Sequence, residues 1–96
     1  MVRFEWDETK NIVNIKKHQV SFQEASSVFY DDNALLLEDP EHSVSEERYI
    51  ILGRSANERI LIVCHCYREN DEVIRIFSAR KANKKERAKY IERLPL

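Results

Sequence analysis

ILIVCHCYRENDEVIRIFSA, residues 60–79, is the stretch on which the fold turns. Two apolar runs, Ile60 to Tyr67 and Val73 to Ala79, flank Asn70-Asp71. Asn and Asp tolerate positive φ, so the stretch predicts an antiparallel hairpin closed by a two-residue type I′ turn. Both runs are apolar on both faces in their middles, which marks them as central strands. The turn fixes a register in which Glu69 faces Glu72, Cys66 faces Arg75 and His65 faces Ile76. Alternation then places Arg59, Leu61, Val63 and His65 on one face with Ile74, Ile76, Ser78 and Arg80. Arg59 and Arg80 become neighbours at one end of that face, and Arg68 and Arg75 share the opposite one.

Upstream, Arg48 to Leu52 reads as a strand stopped by Gly53, the one glycine of the chain. Setting Gly53 opposite Arg59 across residues 54–58 brings Glu47 opposite His65. Ala34 to Leu37 is a further strand, ended by Asp39-Pro40. At the start of the chain, Phe4-Glu5-Trp6 reads as a short strand, and Asp7 caps a helix from Glu8 to Lys17. His18-Gln19-Val20 breaks it, and Ser21-Phe22-Gln23-Glu24 has the form of a capping box opening a second helix from Phe22 to Phe29. Downstream, Asn83-Lys84-Lys85-Glu86 repeats the cap signal and opens a helix to Arg93, whose buried stripe is the Arg87 stem, Tyr90, Ile91 and Leu94. Consecutive strands joined by short connections predict an α+β fold, a mainly antiparallel sheet with two N-terminal helices and one C-terminal helix. Residues 1–96 form one domain, since 96 residues supply about one core and 43% hydrophobic content suffices to bury it.

Composition narrows the function. No apolar run approaches the roughly 18 residues needed to span a bilayer and no secretory leader pattern opens the chain, so a cytoplasmic protein without membrane attachment is expected. Cys64 and Cys66 point to one face of a strand as reduced thiols, with His65 on the other, so the three do not converge on a metal and none is expected. A chain with a single glycine has no phosphate-binding loop, which removes nucleotide cofactors. The net charge is −1, unevenly spread: residues 74–93 carry eight basic side chains against Glu86 and Glu92. That asymmetry suits either a polyanion-facing surface with a second surface for another partner, or a merely solvated helix.

FEWD at 4–7 with Lys10 and Asn14, KHQVSFQEA at 17–25, VFYDD at 28–32, HSVSEER at 42–48 and IRIFSARKANKKE at 74–86 together resemble the BrnT family. The resemblance implies a RelE-like fold and a ribonuclease toxin of a type II toxin-antitoxin system that needs no cofactor. It also implies neutralisation by a BrnA-like ribbon-helix-helix antitoxin, through which alone the toxin meets operator DNA. Two positions depart from the family: Gln19 and Glu58 stand where glycine is usual. Glycine there marks turns with positive φ, so both substitutions are expected to strain or reshape those turns.

Cleaving RNA without a metal requires a base for the 2′-hydroxyl, a cation for charge developing on phosphate, and an acid for the leaving oxygen. The register above assigns Glu47 to orient His65, His65 to acid-base work, and Arg59 with Arg80 to phosphate. Lys81, Lys84 and Lys85 are expected to track the RNA backbone, and Arg68 with Arg75, also expected to bind RNA, forms the alternative catalytic cluster. His65 also admits the reading of a hydrogen-bonded histidine inside the sheet, and Glu47 that of a surface charge. His18 and His42 fall in connections, where capping and catalysis are both open. A degenerate toxin or small RNA-binding module that keeps only partner binding is the competing function.

Overall fold

The computed structural model describes residues 2–95. In chain order it runs β1 (Arg3–Glu5), α1 (Glu8–His18), α2 (Phe22–Ser27) with a 3-10 turn at Val28–Tyr30, β2 (Leu35–Glu38), a 3-10 turn at Pro40–His42, β3 (Tyr49–Arg54), β4 (Ile60–Arg68), β5 (Val73–Lys81) and α3 (Lys84–Glu92). The five strands form one sheet in the order β1-β5-β4-β3-β2. Three pairings are antiparallel, as expected. β1, however, runs parallel to β5, Arg3 opposite Val73 and Glu5 opposite Arg75, so the sheet is mixed. β1 has no hairpin linking it to its neighbour, and side-chain alternation carries no information on strand direction.

The hairpin closes as the sequence predicts. The Glu72 amide donates to the Glu69 carbonyl at 3.1 Å. Asn70 and Asp71 adopt φ of 57° and 68°, and Glu69 is left-handed as well at 51°. Cys66 faces Arg75 and His65 faces Ile76. One residue further the ladder slips: Cys64 faces Ser78, leaving Phe77 without a partner on β4. This bulge reverses the alternation, so Ser78 and Arg80 join Cys64 and Ile62 rather than His65 and Val63. The β3–β4 connection is also displaced from that reading, spanning residues 55–59 with the Ser55 amide bonded to the Arg59 carbonyl at 2.8 Å. Gly53 therefore faces Leu61, not Arg59, and Tyr49, not Glu47, faces His65.

One sheet face is covered by α1 and α2, with Val20, Phe22, Ala25 and Val28 packed on Ile51, Leu61, Val63, Ile74, Ile76 and Ala79. On the other face α3 covers only one end, setting Tyr90 and Leu94 on Leu52 and Ile62. Ile91, expected in that stripe, stands exposed. Gly53 does not stop β3 but lies inside it, where a Cβ would sit 2.8 Å from Val28 Cγ1 and 2.9 Å from Ala34 Cβ. Close packing, not turn geometry, requires glycine there. Asn14 closes a different gap, because β1 covers only the start of the outer edge of β5. Its amide donates to the Ala79 carbonyl at 2.8 Å and its Oδ1 accepts from the Ala79 amide at 3.2 Å, so a side chain substitutes for a strand.

Candidate active site

The N3 residue of a helix forks an arginine at two places in the molecule, with different results. In α2 the Ser21 hydroxyl accepts from the Glu24 amide at 3.0 Å, as a capping box requires. The Glu24 carboxylate does not return to Ser21; it accepts from Arg59 Nε at 2.9 Å, from Arg59 Nη2, and from the Ser55 hydroxyl at 2.7 Å. Arg59 Nη2 also donates to the Gln19 carbonyl at 2.8 Å. Its side-on fork, the Nε–Nη2 edge, is thus consumed by a carboxylate only 8% exposed. The guanidinium in turn holds the Glu24 carboxyl below its ordinary pKa, against the opposing effect of burial. Arg59 is a clamp joining α2, the end of α1 and the β3–β4 turn.

Arg80 is held end-on. Its Nη1 and Nη2 donate to the Glu86 carboxylate at 2.8 and 2.9 Å, and Nη1 donates to the Lys81 carbonyl at 3.3 Å. Glu86 meanwhile accepts from the Asn83 amide at 2.8 Å and completes the capping box of α3. The pair therefore rests on a helix terminus that is itself fixed. Of the five donors of a guanidinium, Nε–H and the adjacent Nη2–H have no partner among the described residues, and these two form the edge that grips a phosphate bidentately.

Arg80 lines a groove of about 380 Å³ on the sheet face that α3 leaves open. Lys10 and Arg48 bring two more cations to it, and Ile62, Cys64, Phe77 and Ser78 also line it. The segment from Asp39 to Arg48 forms one wall. It is pinned by the Asp39 amide on the Arg48 carbonyl at 2.8 Å and by the Ser43 hydroxyl on the Asp39 carbonyl at 2.7 Å. On that wall His42 Nδ1 lies 2.8 Å from Asp39 Oδ2. A carboxylate only accepts, so Nδ1 carries the hydrogen and Nε2 is the ring nitrogen left facing away from Asp39. The Asp39 side chain is 10% exposed and that of His42 61%, an anchored carboxylate orienting an accessible imidazole. The Arg48 guanidinium stacks 3.8 Å from the Phe77 ring centroid. Burial, aided by Asp39, raises the pKa of the Cys64 thiol, so it is no nucleophile near neutral pH. The groove combines an oriented imidazole with cations able to hold phosphate, the parts required for acid-base cleavage of a phosphodiester.

The other expected residues lie apart from this groove. His65 is fully buried. Its Nδ1 donates to the Val63 carbonyl at 3.1 Å, its Nε2 accepts from the Tyr67 hydroxyl at 3.1 Å, and the Phe29 ring meets it edge-on at 4.6 Å. Burial pulls its pKa down to about 4, leaving a neutral core histidine. Glu47 accepts from the Tyr49 hydroxyl at 2.8 Å and does not face His65. Arg59 and Arg80 are on opposite faces because of the bulge. Arg68 and Arg75 do share a face, but with carboxylates: Arg75 lies 2.6 Å from Glu5, and Arg68 lies 3.7 Å from Glu5 and 3.2 Å from Glu46. Lys81, opposite Leu61, alternates away from Arg80, while Lys84 and Lys85 stand exposed on the first turn of α3. Among the described residues no three His, Cys, Asp or Glu side chains gather so as to hold a metal ion. Sequence reasoning missed Asp39, Arg48 and Lys10 as site residues and left His42 open. The signal was the HSVSEER stretch, which carries both His42 and Arg48.

Comparison with known proteins bears on this geometry at two levels. No curated protein matches the chain. The crystal structure of the Brucella abortus ribonuclease toxin BrnT is similar, with a TM-score of 0.66 at 21% identity, covering 88% of this chain and 100% of that one. That likeness establishes the shared fold. The family model for the ribonuclease toxin BrnT of type II toxin-antitoxin systems matches residues 6–86, a span holding both arginine forks, the bulged hairpin and the groove. By that match the chain belongs to the BrnT family of ribonuclease toxins.

Proposed function

We propose that this toxin cleaves single-stranded RNA in the groove between β4, β5 and the 39–48 segment, using side chains alone. The observation that carries the reading is that Arg80, with its Nε–Nη2 edge unpartnered among the described residues, lines the same groove as His42, which Asp39 orients. Arg80 and Arg48 hold the scissile phosphate and stabilise charge gathering on it, and His42 moves the proton between the 2′-hydroxyl and the leaving oxygen. Lys10 adds attraction for the phosphate on the α1 side, and Lys84 and Lys85 extend the basic track beyond Arg80. The active form is favoured over a binding-only relic because the backbone at both unusual positions keeps the conformation a glycine would take, φ of 57° at Gln19 and 62° at Glu58. The Arg59 clamp, bonded to Gln19 and adjoining Glu58, holds both turns in place.

The same reading gives the toxin a cytoplasmic setting, a RelE-like ancestry and a BrnA-like ribbon-helix-helix antitoxin that blocks the groove and alone contacts operator DNA. Among the described residues no helix is long and apolar enough to cross a membrane. The decisive experiment measures cleavage of a single-stranded RNA in excess EDTA by the wild type, Arg80→Ala and His42→Ala, with folding checked by thermal denaturation. Wild-type cleavage should survive the chelator, and each variant should lose about 10²- to 10³-fold in rate while remaining folded. Folded variants that cut at the wild-type rate, or activity abolished by EDTA and restored by a divalent metal, overturn the proposal.

A further inference from the structure

Beside the groove a second concavity of about 270 Å³ opens between α1 and β5, sharing Lys10, Phe77 and Ser78 with it. Its character differs. Val13, 57% exposed, and Phe77 give it an apolar lining. Its cations are Lys10 and Lys17, His18 lies beside them, and no carboxylate lines it. Phe77 is there because of the bulge, which frees it from pairing with β4 and directs it away from the ladder. Of these two hollows Arg48 lines only the groove, where it stacks 3.8 Å from the ring centroid, while Lys10 Nζ, at 5.8 Å, borders both. Phe77 is therefore the partition between the two, braced on the groove side by a cation-π contact.

Size and charge select the occupant. At about 270 Å³ the trough falls just short of pockets that enclose drug-sized ligands, leaving room for one nucleoside. A whole helix, about 10–12 Å across with its side chains, does not enter a trough of this size. An apolar floor under a rim of cations suits a planar base with a phosphate at each side. We infer that this trough is a nucleoside subsite, holding the base adjacent to the scissile phosphate against Val13 and Phe77 while Lys10 and Lys17 hold the flanking phosphate. The inference rests on the groove being where RNA is cut. It makes the bulge the device that joins substrate reading to cleavage, since one inserted residue both brings Phe77 to the boundary of the two hollows and turns Arg80 to the open face.

The test uses single-stranded hexadeoxynucleotides of one mixed sequence, which lack the 2′-hydroxyl and cannot be cleaved by this route, each with an abasic residue at a different position. Binding to the wild type, Val13→Asp and Phe77→Ala is measured by fluorescence anisotropy at fixed salt. For the wild type one abasic position should weaken Kd about tenfold, the scale of losing one stacked base. In both variants that penalty should fall below about twofold, while penalties at other positions persist, the signature of direct coupling between side chain and base. Val13 is exposed, so Val13→Asp keeps the test available if Phe77→Ala does not fold. A penalty unchanged in the variants, or none at any position, overturns the inference. So does loss of antitoxin binding in Val13→Asp with the abasic pattern intact, which would make the trough a protein interface. Coupling without RNA cleavage by the wild type supports the subsite and overturns the catalytic reading; cleavage without coupling does the reverse.

Discussion

Two arginines, each forked by the third residue of a helix, sit on opposite faces of one sheet and serve opposite ends. Glu24 gives up its capping bond to grip Arg59 side-on and leaves that arginine only Nη1 to offer. Glu86 keeps its capping bond, grips Arg80 end-on and leaves the phosphate-binding edge open. The same pair of residue types thus makes a fastener on the helix-covered face and a prepositioned cation on the open one. Which edge of the guanidinium is occupied, not the presence of an ion pair, tells them apart. A preordered cation stabilises a charged transition state without the cost of being ordered during the reaction.

The largest test of this contrast is Arg59→Ala. It leaves the nearly buried Glu24 carboxylate without its cation and both left-handed turns without their brace, so stability should fall by about 3 kcal/mol, read from urea denaturation. Cleavage per folded molecule should stay within about threefold, and a selective loss of activity in a stable protein would erase the distinction between the two forks. Next comes His65, whose pKa of about 4 in the folded chain lies below the 6.5 of an unperturbed histidine. The folded state therefore binds fewer protons than the unfolded one. The contribution of this depression to stability is complete above about pH 6.5 and is lost as pH falls towards 4, at up to about 1.4 kcal/mol per pH unit. His65→Gln should flatten that limb of a stability–pH curve, and an unchanged slope would remove His65 from the covered core. Gly53→Ala drives a methyl into Val28 and Ala34 and should cost about 2 kcal/mol, lowering the urea midpoint with little change in the RNA cleavage rate constant. Smallest of all, Gln19→Gly and Glu58→Gly should each raise stability by about 0.5 kcal/mol, relief of left-handed strain outweighing the added freedom of the unfolded chain. A thermal midpoint lowered by either change would mean that the Arg59 clamp, and not glycine-like backbone freedom, is what these turns depend on.

Much of the fold was legible because it is written in local signals. Asn70-Asp71 set the hairpin register, Asp7, Ser21 and Asn83 marked helix starts, and the apolar runs marked the strands. The candidate site was less legible for three physical reasons. A bulge has no sequence signature of its own, yet one unpaired residue at Phe77 moved Arg80 to the other face. The β3–β4 register depended on a loop whose left-handed residue is Glu58 rather than glycine, and a two-residue error there put Glu47 where Tyr49 belongs. The Asp39–His42 pair lies in an irregular segment, where no periodicity indicates which side chains meet. Arg80 could be singled out because it lies beside the end of a long buried strand, but its companions are contributed by folding at a distance.

Asn14 bears on how the chain behaves in company. β1 spans three residues, so much of the outer edge of β5 would otherwise present free amides and carbonyls to any passing strand. A carboxamide bonded to both backbone groups of Ala79 denies that template to other chains, and burial keeps it in place. A toxin released from its antitoxin must survive as a lone molecule long enough to act, and sealing an edge with one side chain protects it from aggregation without the bulk of a sixth strand.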